Sequence, residues 1–190
     1  MGFAVLRKLK SEFDFTVTHR GFQIHPEWPA EGLPPAQFRP GMDPKTRQAM
    51  WERISAMGAA AGVVMKPPKM YANSLLALQA AEFAADAGLG ESFEERIFRA
   101  YFAEGVNIGI RDALLDLAAE VGIERAALGD ALASEQYAIR IRNHAVAASQ
   151  LGVSGVPTFF IGDWPLVGAQ SEDVMRRVLE RARERLEASK

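Results

Sequence analysis

Apolar residues recur at helical spacing along most of this chain and change to strand-like spacing in two regions. Phe3, Val5, Leu6, Leu9 and Phe13 line one side of a short helix at the beginning. Phe15-Thr-Val-Thr-His-Arg-Gly-Phe22 then alternates in the manner of a strand. From Gln23 to Gly41 neither period holds, and Pro26, Pro29, Pro34, Pro35 and Pro40 predict a stiff, extended surface loop. Asp43-Pro44 offers an N-cap acceptor followed by a first-turn proline, so a helix is expected to reach Ala61 and stop at Gly62. After a connector over Val63–Pro68, Asn73 is placed to cap a helix through Leu76, Leu78, Ala81 and Phe83 to Gly88. Further helices follow: one with Phe93, Ile97, Phe98, Tyr101 and Phe102, one from Ile110 to Gly122, and a short one ending at Ala133. Ser134 is expected to cap a long helix over Glu135–Gln150.

The second change of period carries the most information. Leu151-Gly-Val-Ser-Gly-Val-Pro-Thr-Phe-Phe-Ile-Gly162 leaves the long helix and enters a short apolar strand at Thr158–Ile161. A turn at Gly162-Asp-Trp leads to a second short strand at Pro165–Val167, and a charged helix runs on from about Ser171. Pro157 stands at the strand entry, where its missing N–H and fixed φ are tolerated. On the residues alone, Val156-Pro157-Thr158 is either a turn before a buried strand or a cis proline. An X–Pro bond loses only about 0.5–1 kcal/mol on going cis, so a tight turn flanked by Gly152 and Gly155 can enforce it. The cis form would open the Val156 main chain to pairing with an extended peptide.

Composition narrows the field. A chain of 190 residues fits one domain, or one domain with a large insertion. Its 22 Lys and Arg against 24 Asp and Glu give a formal charge of -2, which favours neither nucleic acid nor an anionic membrane as a partner. Apolar stretches fall far short of the roughly 18–20 residues of a membrane span. Arg7, Lys8, Lys10, Glu12 and Asp14 near the start argue against a secretory signal. The absence of cysteine excludes disulfides and is compatible with a reducing compartment, so a cytoplasmic location is expected.

Other candidate chemistry is sparse. His19, His25 and His144 fall in the alternating segment, the proline-rich loop and the long helix, and no pair has metal-ligand spacing. His144 reads as a surface or packed helix residue. His25 would border the proline turn only if its loop folds back there. Trp28, Trp51 and Trp164 read as packing residues. The last helix mixes Arg176, Arg177, Arg181, Arg183 and Arg185 with Glu172, Asp173, Glu180, Glu184 and Glu187, which predicts a balanced, solvated helix.

Helix, Gly-Val-Pro, strand, turn, strand, helix resembles the C-terminal half of a thioredoxin fold. The chain is similar to the DsbA-like thioredoxin superfamily, in particular its FrnE-like branch, over residues 1–188. The likeness rests on Gly21-Phe-Gln-Ile-His-Pro-Glu-Trp-Pro-Ala-Glu-Gly32, on the helix from Asn73 to Gly88, and most specifically on Ala145–Phe160 and Pro165-Leu-Val-Gly-Ala-Gln170. It implies an α/β, DsbA-like thioredoxin fold with an inserted helical domain. The expected division is 1–43 and 152–190 for the two parts of the thioredoxin-like domain, with 44–151 inserted between them.

The resemblance also implies a cis Val156–Pro157 bond facing a redox-active cysteine pair. Family members begin with a core strand that leads into a Cys-Pro-Trp-Cys-like motif. Here Gly2-Phe-Ala-Val-Leu-Arg-Lys-Leu9 is similar to the helix just after that motif, so the strand and the cysteines are expected to be absent.

Three readings stay open. The chain is a thiol oxidoreductase whose start is set too late, or a cysteine-free binder of peptides or partners through the proline groove. The third is a relative of the glutathione-linked kappa transferases and hydroxychromene-carboxylate isomerases. Val156, Pro157 and Thr158 are the expected substrate-binding residues, for an extended peptide or a thiol-bearing substrate. No catalytic residue, metal or cofactor is expected. With no thiolate to attack a disulfide, the chain should be redox-inactive. The empty place of the first strand should expose sheet edges and promote self-association, unless a segment such as Val63–Met65 fills it.

Overall fold

Asp43 illustrates how closely the local chemistry is followed in the computed structural model, which describes residues 1–188. Its carboxylate accepts a hydrogen bond from the Thr46 N–H at 3.0 Å, and Pro44 opens the helix it caps. The helices are α1 (Gly2–Leu9), α2 (Pro44–Ala60), α3 (Leu75–Asp86), α4 (Gly90–Arg99), α5 (Arg111–Glu120), α6 (Arg125–Ala133), α7 (Glu135–Gln150) and α8 (Glu172–Ala188). A π-helical turn, Ala100–Glu104, extends α4. Between α7 and α8 lies an antiparallel hairpin of β1 (Thr158–Ile161) and β2 (Trp164–Val167).

Apolar side chains gather into two clusters. The larger joins α3, α4, α5 and α6 around Phe93, Leu114 and Leu128, all without solvent exposure. Ala80, Ala84, Ala100 and Ala118 lie in the same interior, where small side chains let helices approach closely. The smaller cluster consists of Val5, Leu6 and Leu9 from α1 with Met175 and Leu179 from α8, covered by Phe13, Phe15, Val17, Phe159, Ile161 and Leu166. So α8 is amphipathic rather than wholly solvated. Arg176 also ties it to the segment after α1, through two bonds to Glu12 at 2.7 and 2.9 Å.

The hairpin register pairs Thr158 with Val167, Phe159 with Leu166, Phe160 with Pro165 and Ile161 with Trp164. Strand alternation sends Phe159, Ile161 and Leu166 toward the smaller cluster and leaves Phe160, Pro165 and Val167 on the open face. Phe160 is 46% and Val167 54% exposed, so among the described residues that face carries no cover.

Three expectations are corrected. Phe15–Phe22 is not a strand, because no neighbouring main chain pairs with it among the described residues. Val63–Met65 packs against α2 rather than serving as a strand: Ser55 Oγ donates to the Met65 carbonyl at 2.7 Å, and Val64 stays largely exposed. Ser134 occupies the N-cap position of α7, but its hydroxyl donates back to the Ala131 carbonyl at 2.8 Å, closing the turn behind it.

The N-cap position of α3 is Ser74, one residue after the expected Asn73, but the Asn73 side chain still serves the helix start. Its Oδ1 accepts from the Leu75 N–H at 3.0 Å and from Gln23 Nε2 at 2.8 Å, while its Nδ2 donates to the Trp28 carbonyl at 2.7 Å. One side chain thereby fixes the proline-rich loop to the start of α3. Asn73→Ala leaves the Trp28 carbonyl and the Leu75 N–H unpaired together, and should lower unfolding free energy by about 1–3 kcal/mol in a urea titration.

Candidate functional site

The turn that leads from α7 into β1 is built by backbone freedom and two short hydrogen bonds. Gly152, at φ +70°, lets the chain leave the helix. The Val156–Pro157 peptide is cis. Thr158 Oγ1 donates to the Gly155 carbonyl at 2.7 Å, and the Gly168 N–H donates to the Pro157 carbonyl at 2.7 Å. These two bonds brace the turn from both sides. Val156 remains 44% exposed, and a Cβ on Gly155 would meet nothing within 4 Å. Val156, Pro157 and Thr158 therefore form one open, main-chain-rich surface at the strand entry.

The first turn of α1 lies on the neighbouring residue. A Cβ on Gly2 would stand 2.6 Å from Phe159 Cζ, so a larger residue here would have to push the tip of that ring aside. That helix turn carries Gly2, Phe3, Ala4 and Val5, none of them able to act as a nucleophile. Among the described residues, no group of three or more His, Asp, Glu or Cys is arranged to hold a metal. No described helix is long and apolar enough to cross a membrane.

A second feature escaped the sequence reading. The side of α1 and the segment after it face α4 across a charged seam. Arg7 pairs with Glu95 at 2.5 Å, Lys10 with Glu91 at 2.9 Å, and His19 Nδ1 with Glu94. The Phe3 ring sits edge-on to His19 at 5.5 Å and tilted to Phe98 at 6.3 Å. The seam residues line a cleft of about 390 Å³ together with Asp86 and Arg140. Arg140 grips Asp86 through two bonds of 2.8 Å. The signal was present in the spacing of Glu91, Glu94 and Glu95 on one helix, but their partners come from residues 75 or more positions away.

The other histidines divide. His144 Nδ1 is buried 3.3 Å from Glu82 Oε1, out of hydrogen-bonding geometry, so it is a packed residue of the α3–α7 contact. His25 stacks on Trp28 with centroids 4.1 Å apart and bonds Glu27 at 2.9 Å. Trp28 meets Phe38 and Tyr71 edge-on, and these two rings stack at 3.9 Å. No described contact joins His25 to the proline turn. The aromatic residues organise their own loop.

Hairpin, helices and proline turn together define a DsbA-like architecture, and the chain belongs to the DSBA-like thioredoxin domain family, which matches residues 1–180. It is 32% identical over 168 residues to YwbO of Bacillus subtilis, covering 84% of this chain and 83% of that protein. A solved structure from Streptomyces coelicolor, described as a probable DsbA oxidoreductase, superposes with a TM-score of 0.87 at 24% identity, over 95% of this chain and 82% of that one. A 2-hydroxychromene-2-carboxylate isomerase structure superposes with a TM-score of 0.71 at 20% identity, over 97% and 89% of the respective chains. Both superpositions report the fold. The family is one of thiol oxidoreductases and their relatives, and this chain contains no cysteine.

The seam is sensitive to pH through His19. Its hydrogen bond to Glu94 raises its pKa above the ordinary imidazole value, with Glu91 adding to the effect and burial and Lys10 opposing it. A raised pKa means that protonation stabilises the folded form. That contribution is complete below about pH 6.5 and is lost as pH rises through the folded-state value. His19 is partly exposed, so the effect should stay below about 1 kcal/mol. A urea titration should show His19→Gln losing more stability at about pH 5.5 than at about pH 8.5.

Proposed function

We propose that this polypeptide is a redox-silent member of the DsbA-like family that binds extended peptide segments at Val156-Pro157-Thr158. The observation that carries the reading is the pairing of an intact, exposed proline turn with a sequence free of thiols. Thiol–disulfide exchange requires a thiolate to attack and a second thiol or partner to resolve the mixed disulfide. Nothing in the 190 residues supplies either. Binding needs only main-chain donors and acceptors beside apolar surface, and Val156 offers both. Thiol-bearing polypeptides belong among the ligands, bound without being oxidised or reduced.

A cytoplasmic location agrees with a cysteine-free composition and with the absence of a spanning helix among the described residues. The near-neutral charge of -2 gives no support to nucleic acid as a ligand. The glutathione-linked reading draws on shared fold alone.

Two measurements test the proposal. The 190-residue polypeptide should leave the rate of insulin reduction by dithiothreitol unchanged. Catalysis above the uncatalysed rate would show that it is not redox-silent. Fluorescence polarisation with a labelled, carboxymethylated insulin B chain should show binding that Val156→Asp weakens about tenfold, since the carboxylate must be desolvated against apolar ligand. Equal affinity for the two proteins would remove Val156 from the site.

A further inference from the structure

The proline-rich loop between residues 22 and 43 is held more firmly than its lack of helix or strand suggests, and it keeps an open corner. Leu33 and Tyr71 exchange two main-chain bonds of 2.8 Å, Asn73 Nδ2 donates to the Trp28 carbonyl, and Arg47 Nη1 donates to the Pro35 carbonyl at 2.5 Å. Gly32, at φ +84°, lies against main chain, where a Cβ would come within 2.5 Å of the Tyr71 carbonyl oxygen. On this frame stand two stacked ring pairs, His25 on Trp28 and Phe38 on Tyr71. Trp28 meets Phe38 at 85° and Tyr71 at 77°, so the pairs make an aromatic corner rather than one continuous stack. His25, Trp28, Leu33, Gln37, Phe38 and Arg39 line a hollow of about 230 Å³ in that corner, which the loop's own side chains leave unfilled.

The polar groups that line the hollow are unpaired and favour one sign of charge. The Arg39 guanidinium lies 5.4 Å from the centre of the Phe38 ring. It has no ion pair or hydrogen bond among the described residues, and neither has the Gln37 carboxamide. His25 spends Nδ1 on Glu27 and keeps Nε2 free, and the Glu27 carboxylate is not among the lining groups. Arg39 also holds a left-handed backbone, φ +53°, which non-glycine residues seldom adopt and which gathers at ligand sites. Aromatic faces alone attract cations, but Arg39 already covers the Phe38 face and would repel a second cation. The hollow is smaller than the about 300–1,000 Å³ of sites for larger organic ligands, so it admits one ring and little more. We propose that this corner binds a small aromatic acid, a single flat ring carrying a carboxylate. The ring lies against Trp28 and Phe38, and the carboxylate is taken by the Arg39 fork and the Gln37 amide. The site shares no residue with Val156-Pro157-Thr158, so the two sites fail independently.

The test titrates benzoate into the 190-residue protein and follows amide and indole N–H signals by NMR. Saturable shifts should gather at the Trp28 indole, the Gln37 carboxamide and the Phe38 and Arg39 amides, while the Trp51 and Trp164 indoles stay in place. Arg39→Gln should weaken benzoate about tenfold and leave the far-UV signal unchanged, since this exposed side chain makes no hydrogen bond or ion pair among the described residues. Benzamide, uncharged and of the same shape, should bind the unaltered protein about tenfold more weakly than benzoate and should not distinguish it from Arg39→Gln. Shifts that fail to saturate or that spread beyond the corner would overturn the site, and so would equal affinity of benzoate for the two proteins. Benzylammonium bound at the corner as tightly as benzoate would overturn the sign of charge. N-acetylphenylalanine presents the same ring and carboxylate as the end of a polypeptide, and tighter binding of it than of benzoate would overturn the free acid as occupant.

Discussion

The packing of α1 against α8 on one face of the β1–β2 hairpin is the contact on which the α/β part of this molecule depends. Leu9 and Met175, 0% and 1% exposed, lie in that contact. A two-stranded hairpin is at best marginal in water by itself. Here Phe159, Ile161 and Leu166 gain a floor of helical side chains, and the hairpin gains its stability from it. The proline turn inherits its position in turn, since it is the segment through which α7 enters β1. Gly2 matters for the same reason: a Cβ there would stand 2.6 Å from the tip of the Phe159 ring, which would have to move.

The remainder of the fold obeys different physics. The larger cluster is a close-packed helical interior, built on alanines that allow short interhelical distances and on a few large side chains that fill the gaps. Between the clusters, the interface at α4 is ionic and aromatic: Arg7, Lys10 and His19 face Glu95, Glu91 and Glu94. Such pairs contribute little net stability at an exposed boundary and respond to pH and salt. They join α1 and the segment after it to α4, and they line a cleft there.

The absence of cysteine from the 190 residues separates two properties that an oxidoreductase of this fold would combine. Recognition of extended backbone rests on geometry: the braced turn at Gly155–Thr158, exposed main chain, and nearby apolar surface. Chemistry rests on sulfur. The 190 residues hold that geometry and no cysteine, and this contrast is what the proposed peptide-binding reading rests on.

Much of this was legible in the residues. Asp43-Pro44, Asn73 and the glycines at 62, 88, 122 and 152 mark helix ends through local capping and backbone freedom, and the helices follow those marks closely. Gly-Val-Pro before Thr158-Phe-Phe-Ile161 located the turn and the hairpin because strand entry, turn and pairing all lie within a dozen residues. That the 190 residues hold no cysteine was evident without any structure. Alternation at Phe15–Phe22 misled, because it reports which side chains face the core and says nothing about whether a neighbouring strand exists to complete a ladder. The charged seam, the three-way role of Asn73 and the stacking of His25 on Trp28 were decided only by tertiary structure. Each joins groups whose meeting depends on how whole elements pack, and a local pattern carries no record of that distance.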